Sequence, residues 1–238
     1  MQLETEIKDI FEQIRIIINS HQELGFDPPP IFEKASNSPK VTSAPTNTNS
    51  LKSLQNHLTN CQRCGLSKTR TNLVFGEGNP DAKLVFIGEG PGQDEDLTGK
   101  PFVGESGKLL TRIIENGIGL GRKEVYICNI VKCRPPKNRN PVKNEIDSCL
   151  PFLQEQLKII KPDVICLLGS IAGKTLFGKD FKITAARGKW YKYMGIPLMP
   201  TYHPAFILRN PSRERQLKGQ VWQDIQKVMS RLEIIPRK

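Results

Sequence analysis

The sequence predicts an α/β fold in three α/β/α layers around a central, mainly parallel, four-stranded sheet. Three apolar runs of strand length, at 83–88, 124–130 and 163–168, are each followed by a loop and a helix-like stretch. A fourth strand is expected near 196–200. Apolar strands that alternate with helices are typical of a parallel sheet that is covered on both faces.

The first 50 residues are expected to lie outside this fold. Apolar residues at helical spacing predict an amphipathic helix at 3–24, and a stretch rich in Pro, Ser, Asn and Thr predicts a flexible linker at 25–50. We therefore predict segments at 1–24 and 25–50 ahead of one domain at 51–238. The helix either packs on its own domain or docks a protein partner or a second copy, and the sequence leaves both readings open.

The remaining elements follow from apolar periodicity and from breaker residues. They are helices at 51–59, 106–117, 142–160 (kinked or restarted at Pro151) and 213–232, a short helix after Gly169-Ser170, a strand or hairpin pair near 182–194, and loops at 88–104, 132–141 and 201–212. Parallel strands end at the same edge of a sheet, and ligands bind at that edge. The three loops are therefore expected to meet and to form a site.

The charge of the chain is strongly positive and unevenly distributed. The net charge is +11; the first 50 residues carry −3 and the remainder +14. Such a surplus favours a polyanionic partner such as nucleic acid, although a solvated basic surface would look the same. No apolar run approaches the length of a membrane span and the N-terminus lacks a signal-peptide pattern, so we expect a cytoplasmic monomer without membrane contact.

Six cysteines divide into two groups. Cys128 and Cys166 lie inside strand patterns, where a free thiol packs as a small apolar group. The other four are predicted to bind one metal centre, since a C-x2-C pair needs two more ligands: Cys61, Cys64, Cys133 and Cys149. Four thiolates suit both zinc and iron–sulfur. The alternative is four unlinked buried thiols.

The first loop is rich in glycine but is not a dinucleotide motif. It holds five glycines between positions 88 and 104, which permit close approach of a ligand. The G-x-G-x-x-G pattern fails because residue 93 is Gln, and Pro91 removes a backbone donor. A phosphate cradle is therefore not favoured.

The second and third loops carry polar and basic residues. Asn129 ends the second strand, where its amide suits the edge of a base or stabilises a turn. His203, which could equally be a structural histidine, precedes an apolar triplet at 206–208 that looks exposed and could enter a base stack. Four residues of the second loop are predicted to contact phosphates: Lys132, Arg134, Lys137 and Arg139.

Together, and in this order, these segments resemble the uracil-DNA glycosylase superfamily, and more narrowly its family 4 enzymes, which carry a 4Fe–4S cluster. The resemblance covers about residues 51–235. It rests on Gly88-Glu89-Gly90-Pro91-Gly92 with Glu95-Asp96, Pro101-Phe102-Val103-Gly104, the segment 129–141, the C-x2-C and C-x15-C spacings, and His203-Pro204-Ala205.

The resemblance implies a uracil-DNA glycosylase, which hydrolyses the N-glycosidic bond of a flipped-out uracil in DNA and so starts base excision repair. Phe102 would stack on the uracil ring, Asn129 would bind its Watson–Crick edge, and His203 would donate toward uracil O2. Gly88, Gly90 and Asn138 would complete the substrate pocket.

The roles of the remaining residues are also read from the resemblance. In the family 1 enzymes an Asp and a Tyr occupy the positions of Gly90 and Gly92, so the general base is Glu89 or none is needed. A pair between Glu89 and Asn138 would exclude thymine. Six residues would bind DNA: Arg134, Lys137, Arg139, Ile207, Leu208 and Arg209. The alternative function is a non-catalytic DNA-binding or DNA-polymerase-associated module.

Overall fold

The computed structural model describes residues 50–235, so the predicted N-terminal helix and almost all of the predicted linker lie outside the described residues. Six strands form one sheet: β1 (Glu77–Gly78), β2 (Leu84–Gly88), β3 (Tyr126–Asn129), β4 (Val164–Leu168), β5 (Tyr191–Tyr193) and β6 (Ile196–Thr201). Eight α-helices accompany it in this range: α1 (Leu51–Leu58), α2 (Gln93–Thr98), α3 (Glu105–Arg112), α4 (Lys143–Ile160), α5 (Ser170–Phe177), α6 (Ile183–Ala186), α7 (Pro204–Leu208) and α8 (Glu214–Arg231). None of them is both long and apolar enough to span a membrane.

The strand order is β1-β3-β2-β4-β6-β5. The four central strands are parallel, as predicted, and their register places Gly88 of β2 opposite Asn129 of β3. The sheet is wider than the predicted four strands, because β1 and β5 add to its edges in antiparallel orientation. These edge strands have two and three residues, which is too short for an alternating pattern to identify.

The central strands bury both faces, and alternate residues pack into two cores. On one face, Leu84 and Phe86 of β2 pack with residues of α3 and α8. On the other face, Val85 and Ile87 pack with residues of α4. All five residues of β2 and of β4 are buried, which is why these strands read as continuous apolar runs rather than as alternating ones.

Helix α8 is fastened to the end of β6 by a buried carboxylate. Asp224 is 1% exposed and accepts a 2.6 Å hydrogen bond from the Thr201 hydroxyl. The Arg187 guanidinium donates to both oxygens of Asp224, at 2.7 and 3.1 Å. The ion pair therefore fixes the strand end from which the third loop departs.

Several predicted elements differ in detail. Helix α4 runs through Pro151 without interruption, and the predicted hairpin partner at 182–190 is partly the short helix α6. The loop expected at 201–212 contains α7, which has Pro204 in its first turn, and a 3-10 turn at Pro211–Arg213. A proline at the start of a helix costs no hydrogen bond, so Pro204 starts α7 rather than extending the loop.

Helix α7 also overturns one predicted DNA contact. Ile207 is 1% exposed and belongs to the core beside α3 and α8, so it is not available to enter a base stack. The neighbouring Leu208 is 38% exposed. The helical turn sends adjacent side chains in different directions, which the loop prediction did not provide for.

Candidate active site

The loops that follow the four central strands surround a cavity of about 580 Å³ at the carboxyl edge of the sheet. Most predicted site residues line it: Glu89, Gly90, Phe102, Asn129, Asn138, Arg139, His203 and Arg209. Gly88 lies directly behind the lining, against Asn129 and Phe102. The sequence-based expectation that three loops meet at one site is therefore confirmed.

A fourth wall was not predicted. Gly169, Ser170 and Ile171, which follow β4, also line the cavity. We interpreted Gly169-Ser170 only as the start of a helix, although a central parallel strand must end at the same edge as its neighbours. Gly169 has a φ of +92° and lies against the Cβ of His203, so this turn supports the histidine.

The Phe102 ring forms one side of the cavity, and its backbone is held in an uncommon conformation. Phe102 has a φ of +51°, a region that bulky side chains rarely adopt. A Cβ on Gly88 would lie 2.6 Å from the end of the Phe102 ring, and one on Gly107 would lie 2.0 Å from the Phe102 carbonyl. Arg122 donates to the carbonyl of Pro101 and so fixes the preceding peptide.

The carboxylate of Glu95 joins the two halves of the first loop. One oxygen accepts the backbone N–H groups of Val103 and Gly104 at 2.8 and 2.9 Å, and the other accepts that of Gly92 at 3.0 Å. Glu95 is 7% exposed. Three charge-assisted hydrogen bonds from one buried group therefore close the loop around the cavity.

The amide of Asn129 lies at the bottom of this cavity. The residue is 1% exposed, and its Oδ1 is buried without a hydrogen-bond partner in the described part of the chain. A Cβ on Gly88 would lie 2.5 Å from Oδ1, so only glycine fits beside it. A buried acceptor without a partner is costly, and such groups mark sites where a ligand supplies the donor.

His203 faces the Phe102 ring, with ring centroids 5.5 Å apart and planes tilted by 31°. Its Nδ1 accepts the backbone N–H of Ala205 at 3.1 Å and so caps α7. Burial, helped by Arg209, lowers the pKa of His203 to about 4. The imidazole is therefore neutral at pH 7, and because Nδ1 accepts, Nε2 carries the proton and can donate into the cavity.

Glu89 and Asn138 do not form the expected pair. Burial raises the pKa of Glu89, against the opposing effect of the Arg209 charge. Asn138 instead accepts a 2.7 Å hydrogen bond on Oδ1 from Arg134 Nε. No hydrogen bond joins Glu89 and Asn138 in the described part of the chain, so the prediction of this pair is wrong for this structure.

The basic second loop is only partly available to a polyanion. Lys132 is 0% exposed and points inward, so its predicted phosphate contact is wrong. Both terminal nitrogens of Arg139 pair with Glu145, at 2.7 and 2.9 Å, which anchors the loop to α4. Lys137 is exposed. The phosphate contacts of Arg134, Lys137 and Arg139 stay predictions.

The four predicted ligand cysteines are neighbours. Cys64 raises the pKa of both Cys133 and Cys149, and Cys61 raises that of Cys133 and Cys64, although burial is the largest cause in each case. Their sulfurs accept hydrogen bonds from Arg63, Arg70 and the Lys132 backbone, at 3.7, 3.1 and 3.3 Å. Between residues 50 and 235 no set of three or more His, Cys, Asp or Glu side chains meets at metal-ligating distance. Cys128 and Cys166 are buried in the strands, as predicted.

Comparison with known proteins agrees with this arrangement. Residues 75–226 match the family model described as "Uracil DNA glycosylase superfamily". The type-4 uracil-DNA glycosylase of Thermotoga maritima is 48% identical over 172 residues, which cover 71% of this chain and 88% of the relative.

The chain belongs to the type-4 family of the uracil-DNA glycosylase superfamily. The type-4 enzyme of Sulfurisphaera tokodaii is 44% identical over 79% of this chain and 87% of its own length. That of Archaeoglobus fulgidus is 42% identical over 75% of this chain and 92% of its own length. The matches cover the glycosylase-like domain and support the resemblance seen in the motifs.

Replacing Glu95 should test whether its carboxylate holds the glycosylase-like first loop together. Glu95→Gln is expected to lower the free energy of unfolding by about 3 kcal/mol, since one group accepts three backbone donors. Glu105→Gln is the matched control: it changes an exposed carboxylate nearby that pairs with Lys108. Urea unfolding followed by tryptophan fluorescence measures both. Equal stability of the two variants would contradict the assigned role.

The low pKa of His203 should make stability depend on pH. Its folded-state pKa of about 4 lies below the ordinary 6.5, so the unfolded chain binds the proton more readily. Between these values the contribution of His203 to stability is lost as the pH falls. Compared with His203→Gln, the wild type is expected to lose stability between pH 6.5 and pH 4. If the free energies of unfolding of the two proteins change in parallel between pH 6.5 and pH 4, the imidazole of His203 is not held neutral by burial.

Proposed function

We propose that the protein is a uracil-DNA glycosylase that hydrolyses the N-glycosidic bond of a flipped-out uracil in DNA and thereby starts base excision repair. The type-4 relatives and the site support this proposal. The observation that carries it is the Asn129 amide, whose buried oxygen lies beside an aromatic ring and has no hydrogen-bond partner among residues 50–235. A flat base with a ring N–H supplies the missing donor.

Uracil fits this amide better than a phosphate or an aliphatic ligand would. Its Watson–Crick edge carries the N3–H donor beside the O4 acceptor, which complement the amide oxygen and amino group of Asn129. Phe102 offers its ring for stacking. A flipped base is read in this way, by edge hydrogen bonds and by stacking.

Bond cleavage would leave an oxocarbenium-like sugar and a uracil anion. The His203 Nε2–H would donate to uracil O2, where negative charge develops, and a donor so placed contributes on the order of 3 kcal/mol. Since the imidazole is neutral, it stabilises this charge by hydrogen bonding. Glu89 would orient the water that attacks the anomeric carbon, and its raised pKa suits a group that accepts a proton from that water.

The rim of the cavity supports binding of a polyanion. Arg209 lies beside Glu89 and His203, where it would contact a phosphate flanking the flipped nucleotide. Leu208, which is exposed on α7, would fill the gap left in the base stack. Lys137 and Arg134 would hold the backbone further along the second loop.

We also propose that Cys61, Cys64, Cys133 and Cys149 hold a 4Fe–4S cluster. Four neighbouring thiols, three of which accept hydrogen bonds on sulfur, fit such a group. When bound, it would serve as a structural crosslink between the 61–64 turn and the segment that begins with the second loop. Cytoplasmic location, a monomeric state and a protein partner for residues 1–24 stay predictions from the sequence.

The cluster can be tested without reference to activity. Protein purified without oxygen is expected to be brown, with broad visible absorption that oxidants bleach. Cys133→Ser should lose this absorption, whereas Cys166→Ser, at a buried strand position, should keep it. Colourless protein that contains stoichiometric zinc would exclude the iron–sulfur assignment.

Incubation with a uracil-containing oligonucleotide followed by alkali should produce strand breaks. Asn129→Ala and His203→Ala are each expected to reduce the rate about a hundredfold or more, because each removes a group that acts on the departing base. Unmodified thymine oligonucleotides serve as the substrate control. Cluster-replete wild-type protein that binds both DNAs equally and yields no product would instead support a non-catalytic DNA-binding module.

Ile207 and Leu208 should behave oppositely although they are adjacent. Ile207→Ala is expected to lower the free energy of unfolding by about 2–5 kcal/mol, because it leaves a cavity in the core. Leu208→Ala should leave stability nearly unchanged and slow excision from duplex DNA more than from single strands, since only a duplex has a stack to fill. Equal effects on the two substrates would contradict the proposal that Leu208 fills the gap in the base stack.

A further inference from the structure

Lys132 is fully buried and has no contact with solvent. Its side chain folds back along its own segment, so that Nζ donates to the carbonyl of Asn129 at 2.7 Å and to Oε1 of Gln156 at 2.5 Å. Neither acceptor is charged. A buried lysine side chain is costly unless its polar end is hydrogen-bonded, and here both bonds go to groups that they hold in place.

Gln156 holds Lys132 from the C-terminal part of α4. Its Nε2 donates to the carbonyl of Phe75 at 2.9 Å and to the hydroxyl of Tyr126 at 3.2 Å. These bonds fix the orientation of the amide, because the amino end must face Phe75 and the oxygen must then face Lys132. The hydrogen bonds of Gln156 therefore fix the position of Lys132 Nζ, which in turn holds the carbonyl of Asn129.

The backbone around Asn129 is held on the other sides as well. The N–H groups of Ile130 and Val131 donate to the carbonyls of Gly88 and Glu89, at 2.9 and 3.1 Å. The carbonyl of Lys132 accepts from the N–H of Val74 at 2.8 Å. The carbonyl of Asn129 is instead held by a side chain, that of Lys132. This carbonyl belongs to the residue that would recognise the base.

We propose that Lys132 is a positioning residue for Asn129: its Nζ donates to the Asn129 carbonyl and holds it, and Gln156 holds Nζ in place. The inference rests on the proposed glycosylase function. Lys132 would not touch DNA. It would set the angle at which the Asn129 amide meets a base, so its loss would impair base recognition and excision but not contact with the DNA backbone.

The test separates base reading from DNA binding. Lys132→Met removes the donor and keeps the length of the side chain. The variant is expected to lose about tenfold or more in kcat on uracil duplexes, since small misplacements of a catalytic group have effects of this order. Its affinity for a duplex carrying a tetrahydrofuran abasic analogue, which offers a backbone but no base, should stay within about twofold of wild type.

Two further variants calibrate the result. Gln156→Leu removes the support but leaves the Lys132 donor, so it should give the same pattern with a smaller loss, and it carries the test if Lys132→Met does not fold. Lys158→Met is the matched control, because it removes a lysine that is 59% exposed and lies two residues after Gln156 in α4. It should leave kcat and abasic-duplex affinity unchanged. Rates are referred to the folded fraction, measured by thermal unfolding.

Three outcomes bear on the proposal. Loss of kcat with retained abasic-duplex affinity supports the positioning role. If the folded fraction of Lys132→Met has the kcat of the wild type, the positioning role is overturned and Lys132 is a purely structural residue. The same result for Gln156→Leu has this meaning where only that variant folds. Wild-type protein that excises no uracil would overturn the proposed function itself, and this result is distinguishable because it does not depend on any variant.

Discussion

The cavity depends first on the carboxylate of Glu95. One buried group accepts backbone donors from Gly92 on one side of the loop and from Val103 and Gly104 on the other. A loop of this length loses much conformational entropy on closing, and polar backbone groups near a cavity cannot be left unpaired. Glu95 addresses both problems together, since it satisfies three donors while it joins the ends of the segment that carries Phe102.

The sequence predicted the central sheet and the convergence of its loops, because buried parallel strands leave continuous apolar runs and end at one edge. It did not predict where individual side chains point. Lys132 and Arg134 are two positions apart in one loop, yet the Lys132 side chain is buried and that of Arg134 is partly exposed. Ile207 and Leu208 are adjacent as well, and the helical turn of α7 directs Ile207 into the core and leaves Leu208 exposed. Local backbone geometry decided these cases, and composition carries little information about it.

Buried polar groups of two helices hold the ends of two strands. Asp224 of α8 binds Thr201 at the end of β6, and Gln156 of α4 reaches the end of β3 through Lys132. In both cases the helix side chain makes more than one hydrogen bond, and such buried networks favour one conformation. The helices therefore set the positions of the strand ends as well as covering the sheet.

The left-handed backbone of Phe102 has a consequence for how this sequence can vary. Its ring and its carbonyl lie against two positions that have no room for a side chain, Gly88 and Gly107. A methyl group at Gly88 would collide with the ring, and one at Gly107 would collide with the Phe102 carbonyl, which every residue at position 102 carries. A side chain at Gly88 would therefore need a smaller residue than Phe102, whereas no change of the Phe102 side chain would make room at Gly107. Two residues without side chains thus limit which residues can form the aromatic wall of the pocket.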